Sequence, residues 1–114
     1  RILNFFSNNH YFTNIEIQTK TLKDYIFSKK IEEIDILKID TEGHEMEILI
    51  GLKDYLQKVK IILFEHHFDD MIVKEYTFRD INSLLIKNNF KKVYKSKMPF
   101  RKSFEYIYVK KDKL

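Results

Sequence analysis

The stretch "IDILKIDTEGHE", Ile34 to Glu45, decides the fold. Ile34 to Ile39 is apolar and β-branched at most positions and bounded by charge, the pattern of a largely buried strand. Polarity then arrives at once, with Asp40, Thr41, Glu42, Gly43, His44 and Glu45 in a row. From His44 to Lys58 the period changes. Leu49, Leu52, Leu56 and Val59 recur at three- and four-residue steps, which predicts an amphipathic helix. Gly51 inside it costs helix propensity and predicts close packing on a sheet. Val59 to Glu65, "VKIILFE", reads as a second apolar strand. Strand, helix and strand within about 30 residues make a βαβ unit, expected to be parallel and right-handed.

Residues 1–14 mix aromatics and asparagines without a period. Ile15-Glu16-Ile17-Gln18 alternates like a short strand. Thr21 and Asp24 fit a capping box ahead of a helix over 22–30, with Leu22, Tyr25 and Ile26 on one face. A further helix is expected near Asp80 to Asn89, capped by Thr77 and Asp80, with Ile81, Leu84 and Leu85 buried. "KKVYKS" and "FEYIYVKK" are strand-like, and the Pro99-containing link between them is too short for a crossover. They should pair antiparallel. The expected fold is α/β: parallel strands ending in an antiparallel hairpin.

Composition narrows the function classes. The 114 residues suit one domain, 44% hydrophobic and 33% charged. The net charge of +4 is spread over scattered lysines rather than gathered in a stripe, which speaks against a nucleic-acid partner. There is no cysteine, hence neither a disulfide framework nor thiol catalysis. Apolar runs are far shorter than a membrane span, so the expectation is a cytoplasmic protein with no membrane partner.

In open α/β sheets, ligands bind beyond the carboxyl ends of the parallel strands. Two polar clusters end the predicted strands, Asp40-Thr41-Glu42-Gly43 and Glu65-His66-His67, and neighbouring strands would bring both to one edge. Asp40 there can accept from a ligand ammonium or hydroxyl, or take a proton. Gly43 permits a sharp turn and leaves room for a ligand. The same acids also suit the positive end of a helix, and Thr41 suits an ordinary cap. His44 and Glu45 open like the zinc motif HExxH, but Ile48 stands where its second histidine belongs. His44 is read as a first-turn surface or pocket residue rather than a ligand, and no metal site is expected. Of His66 and His67, strand alternation turns only one to the cleft. No glycine-rich phosphate loop and no GxSxG elbow are present.

"TLKDYI", "IDILKIDTEGHEMEILIGL" and "IILFEHH" together resemble the FkbM-type methyltransferase family, over roughly residues 19–67. The resemblance implies a Rossmann-like class I methyltransferase sheet, with residues 34–40 and 59–65 as its fourth and fifth strands and the tail as its last two. It implies S-adenosylmethionine as cofactor and a sugar, glycan or small natural product as acceptor, methylated on oxygen. It implies Asp40, Glu42 and Gly43 on the cofactor side and Glu65, His67 and His44 beside the acceptor. His67, Asp40 and His66 are the candidates for a catalytic base. The family's glycine-rich cofactor loop and its ribose-binding acid do not occur in these residues. The chain is therefore expected to be a single partial domain over 1–114, the carboxy-terminal half of a methyltransferase domain, inactive alone. A non-catalytic α/β interaction module, or a degenerate remnant, is the alternative. Oligomeric state is left open.

Overall fold

The computed structural model describes residues 15–113, the side chain of Lys53 excepted. Residues 1–14, read above as aperiodic, lie outside the described residues.

In chain order the elements are α1 (Leu22–Ser28), β1 (Ile34–Ile39), α2 (Glu45–Leu52), a 3-10 stretch (Lys53–Lys58), β2 (Val59–His67), α3 (Phe78–Lys87), β3 (Phe90–Lys97) and β4 (Ser103–Lys110). The four strands form one sheet in the order β1-β2-β4-β3. β1 and β2 pair in parallel, with Leu37 opposite Ile62 and Ile39 opposite Phe64. β4 inserts between β2 and β3 and runs antiparallel to both. This is a mixed α/β sheet compatible with a methyltransferase fold, and the expected βαβ unit and terminal hairpin are both present.

Local chemistry explains the element ends. Thr77 accepts from Asp80 N while the Asp80 carboxylate accepts from Thr77 N at 2.7 Å, a complete capping box for α3. Thr21 caps α1 by accepting from Asp24 N at 3.1 Å. Thirteen residues from the sheet and helices share the core with Tyr76. Ile62, Phe64, Tyr106 and Tyr108 cover one face of the sheet, under Leu49, Leu52 and Leu56 from one connection and Ile81 and Leu85 from α3. Phe78 stacks on Tyr106 with centroids 4.4 Å apart, sealing α3 to β4.

The structure departs from the sequence reading at four places. Ile15–Gln18 is not a strand; Ile15 and Ile17 are more than three-quarters exposed and pair with nothing among the described residues. Alternation without a partner edge is not enough to make a strand. β1 is not largely buried, because it pairs only with β2 and one of its faces is uncovered among the described residues: Ile36 is 60% exposed. Lys38 on that face is open to solvent. The helix expected over His44–Lys58 stops at Leu52 and tightens into a 3-10 stretch, which still buries Leu56 and delivers Val59 to β2. Gly51 does not mark close packing, since a Cβ there would meet nothing within 4 Å.

Candidate active site

Ile39 lies opposite Phe64, so Asp40 follows the end of β1 beside Glu65, while β2 runs on past the expected end at Glu65 to His67, held there by pairing with β4. The two polar clusters therefore meet at one edge of the sheet, where such folds bind ligands.

The first cluster is a tight turn. Glu42 has φ 50° and Gly43 φ 108°, both in the left-handed region. Glu45 holds this turn from within. Its Oε1 accepts from Thr41 N (3.2 Å), Thr41 Oγ1 (3.1 Å) and Gly43 N (3.2 Å), and its Oε2 accepts from the Tyr76 hydroxyl. The side chain is buried at the start of α2. Burial pulls its carboxyl up, but the Tyr76 hydroxyl, the Gly43 and Glu45 amides and the Thr41 hydroxyl together hold it below its usual range. Burial, and then Glu45 beside it, push the Tyr76 phenol up. Gly43 does make the sharp turn, but the space on its Cβ side is filled. A Cβ there would stand 2.7 Å from Ile72 Cγ2 and 2.7 Å from Val73 O.

The second cluster converges on the first. His67 Nε2 is 3.4 Å from Glu42 Oε2 and 3.4 Å from Glu65 Oε1, and Nδ1 is 4.0 Å from Asp69 Oδ1. The His67 side chain is 10% exposed. Asp40 is half exposed and pairs with Lys38 at 3.2 Å. It lines a small cavity of about 60 Å³ with Glu65, Glu105, Leu63, Tyr94 and Tyr106.

His66 points to the other face, as strand alternation requires. Its ring meets Phe68 edge-on at 4.7 Å and lies 5.8 Å from Tyr76 and from Phe78. Burial, and then the Lys74 charge, push its imidazole down to about 4. A larger open cavity of about 550 Å³ runs past His66, His67, Phe68, Lys74, Tyr76 and Arg79. His44 is exposed just ahead of α2 and lines neither cavity. The structure thus brings together Asp40, Glu42, Glu65 and His67, sets His66 behind them and leaves His44 outside.

The acids Asp40, Glu65 and Glu105 suit a cationic group, and a cavity of about 60 Å³ takes an ammonium-sized group rather than a nucleoside. Of S-adenosylmethionine, the cofactor that the resemblance implies, these acids suit only the methionyl ammonium. Among the described residues, no group of three or more His, Asp or Glu is placed to hold a metal ion.

Sequence reasoning missed Glu45 and Tyr76. In the sequence Glu45 stands only in a failed zinc motif, although a carboxylate two residues after a left-handed glycine is well placed to collect the turn's free amides. Nothing in the sequence marks Tyr76, 31 residues downstream.

The Methyltransferase FkbM domain model matches residues 3–93. The chain belongs to the FkbM methyltransferase family. Over 54 residues it is 32% identical to the hexuronic acid methyltransferase AglP of Haloferax volcanii, covering 47% of this chain and 23% of that protein. Over 71 residues it is 28% identical to the 2-O-methyltransferase NoeI of Sinorhizobium fredii, covering 62% of this chain and 29% of that protein. The match thus spans about a quarter of the length of these relatives. No solved structure matches the chain. Among the described residues, no helix is long and apolar enough to cross a membrane.

Proposed function

We propose that this FkbM-family chain forms the acceptor-side half of a Rossmann-like methyltransferase domain, which transfers a methyl group from S-adenosylmethionine to a hydroxyl of a sugar or glycan. The observation that carries the reading is the convergence of Glu42, Glu65 and His67 at the carboxyl ends of two parallel strands. The chain's membership of the family, the hexuronic acid named for one relative and the 2-O-methyl transfer named for the other support the reaction class.

The bound cofactor supplies an electrophilic methyl on a sulfonium centre. Asp40 and Glu65, which line the small cavity, would accept from its ammonium and anchor its methionyl end. Alignment of acceptor oxygen and methyl is the main source of rate. His67 would take the acceptor's proton as the methyl's bond to sulfur gives way to its bond to the acceptor oxygen, the electron pair staying with the departing thioether. Glu42 and Glu65, each with a carboxylate oxygen 3.4 Å from Nε2, would then pair with the imidazolium that results. His66 is the poorer base: with its imidazole down near 4, it has little driving force for proton uptake at neutral pH. It serves instead as part of the aromatic wall of the larger cavity, where Phe68 offers a half-exposed ring to an acceptor sugar.

Calorimetric titration of the intact protein with S-adenosylmethionine tests the reading. Saturable binding supports it, and a folded protein without binding rejects it. The 114-residue chain alone is expected to bind weakly or not at all, because Asp40 and Glu65 would reach only the methionyl end and no glycine-rich cofactor loop occurs in the sequence.

A further inference from the structure

The loop after β1 (residues 40–44) and the loop after β2 (residues 68–77) belong to different crossovers. Sheet hydrogen bonds fix where each loop starts but not how the two sit against each other. The longer loop is mostly tied to itself and its neighbours: Lys74 Nζ donates to Asp69 O at 3.2 Å, Met71 N to Asp69 Oδ1 at 3.2 Å, and Phe68 N to Lys102 O at 2.8 Å. Its hydrogen bond towards the first loop is the Tyr76 hydroxyl on Glu45.

We propose that Glu45 is a positioning residue, whose carboxylate joins the two loops and sets the acceptor wall against the cofactor wall. The role rests on the function proposed above. One carboxylate oxygen gathers Thr41 and Gly43, which carry the turn between Asp40 and His44. The other takes the phenol of Tyr76, which lines the larger cavity beside His66. Bonds to an ionised acceptor are the stronger kind, so the joint is stiff. A steric contact reinforces it: Gly43 is packed so closely on Ile72 and Val73 that a side chain does not fit. Glu45 itself is 3% exposed and out of reach of a ligand, so its contribution passes through the groups it holds.

The test uses the intact protein with labelled S-adenosylmethionine and, as acceptor probes, glucuronic acid and a neutral hexose glycoside. Tyr76→Phe frees only the acceptor wall. It should lower acceptor kcat/KM about tenfold or more while cofactor Kd stays within about twofold. Amide exchange across residues 68–77 should quicken. Glu45→Ala frees both walls and should weaken cofactor binding as well. Glu45→Gln keeps an acceptor for the turn and a partner for the phenol, and should recover most of the loss. A merely structural role would instead lower cofactor affinity, acceptor kcat/KM and melting temperature together in Tyr76→Phe. That pattern, or an unchanged kcat/KM in Tyr76→Phe, overturns the role alone. A folded wild type that binds no S-adenosylmethionine overturns the proposed function, and this role with it.

Discussion

The His67 imidazole sits 3.4 Å from the carboxylate of Glu65, two residues earlier on the same face of β2. Glu42 approaches the same nitrogen from the neighbouring strand end. If this ring takes the acceptor proton, His67→Gln lowers kcat by about 10²- to 10⁴-fold, the usual worth of a positioned base. Cofactor Kd should stay within a few-fold. A kcat within threefold of wild type would remove His67 from the chemistry.

Asp40 and Lys38 form an exposed pair, and such pairs contribute less than about 1 kcal/mol to stability. Asp40→Asn should therefore leave the melting temperature almost unchanged. On the proposed function it should still weaken S-adenosylmethionine binding by about tenfold, the worth of roughly one charged contact. Unaltered cofactor affinity in a well-folded Asp40→Asn protein would place Asp40 outside the cofactor site.

The two glycines should respond in opposite ways. Gly43→Ala puts a methyl into Ile72 and Val73 at a φ of 108° and should destabilise by about 1–3 kcal/mol. Gly51→Ala adds a methyl in open space inside α2 and should stabilise by about 0.5–1 kcal/mol. Urea unfolding of both variants decides the matter. A neutral Gly43→Ala would mean that segment 72–73 does not pack on the turn.

Acid should loosen the fold in two stages. The folded His66 imidazole, at about 4, lies below its ordinary 6.5, so the unfolded chain binds the extra proton first. Its stabilisation, at most about 3 kcal/mol, is complete above pH 6.5 and lost as pH falls towards 4. Glu45, also held below its ordinary 4.5, keeps its contribution above that pH and loses it below. Thermal melts from pH 8 to 4 should show His66→Leu with a flatter slope between 6.5 and 4. An unchanged slope would show that His66 is not held neutral by burial.

Much of this architecture was legible because it repeats a period. Leu49, Leu52, Leu56 and Val59 mark one buried seam, and each is 1% exposed or less. The run Ile61 to Phe64 marks its strand, and Thr77 with Asp80 marks the start of α3. The readings that failed needed knowledge of neighbours. Ile15–Gln18 has the alternation of a strand but no edge to join, and Ile36 has a core-like side chain on a face that nothing described covers. The candidate site divides the same way. Asp40, Glu42, Glu65 and His67 follow from strand ends, which a sequence displays. The Glu45–Tyr76 bond spans 31 positions and is set by how two loops fold together. No local pattern announces that.

The most direct measurement of the central claim is transfer of a labelled methyl group by the intact protein from S-adenosylmethionine to glucuronic acid or a neutral hexose glycoside, with the product's linkage read by mass spectrometry and NMR. The expected product is an O-methyl ether on a ring hydroxyl, formed by the wild type and nearly abolished in His67→Gln. A folded protein that binds S-adenosylmethionine yet methylates neither sugar, or that methylates nitrogen instead, would contradict it.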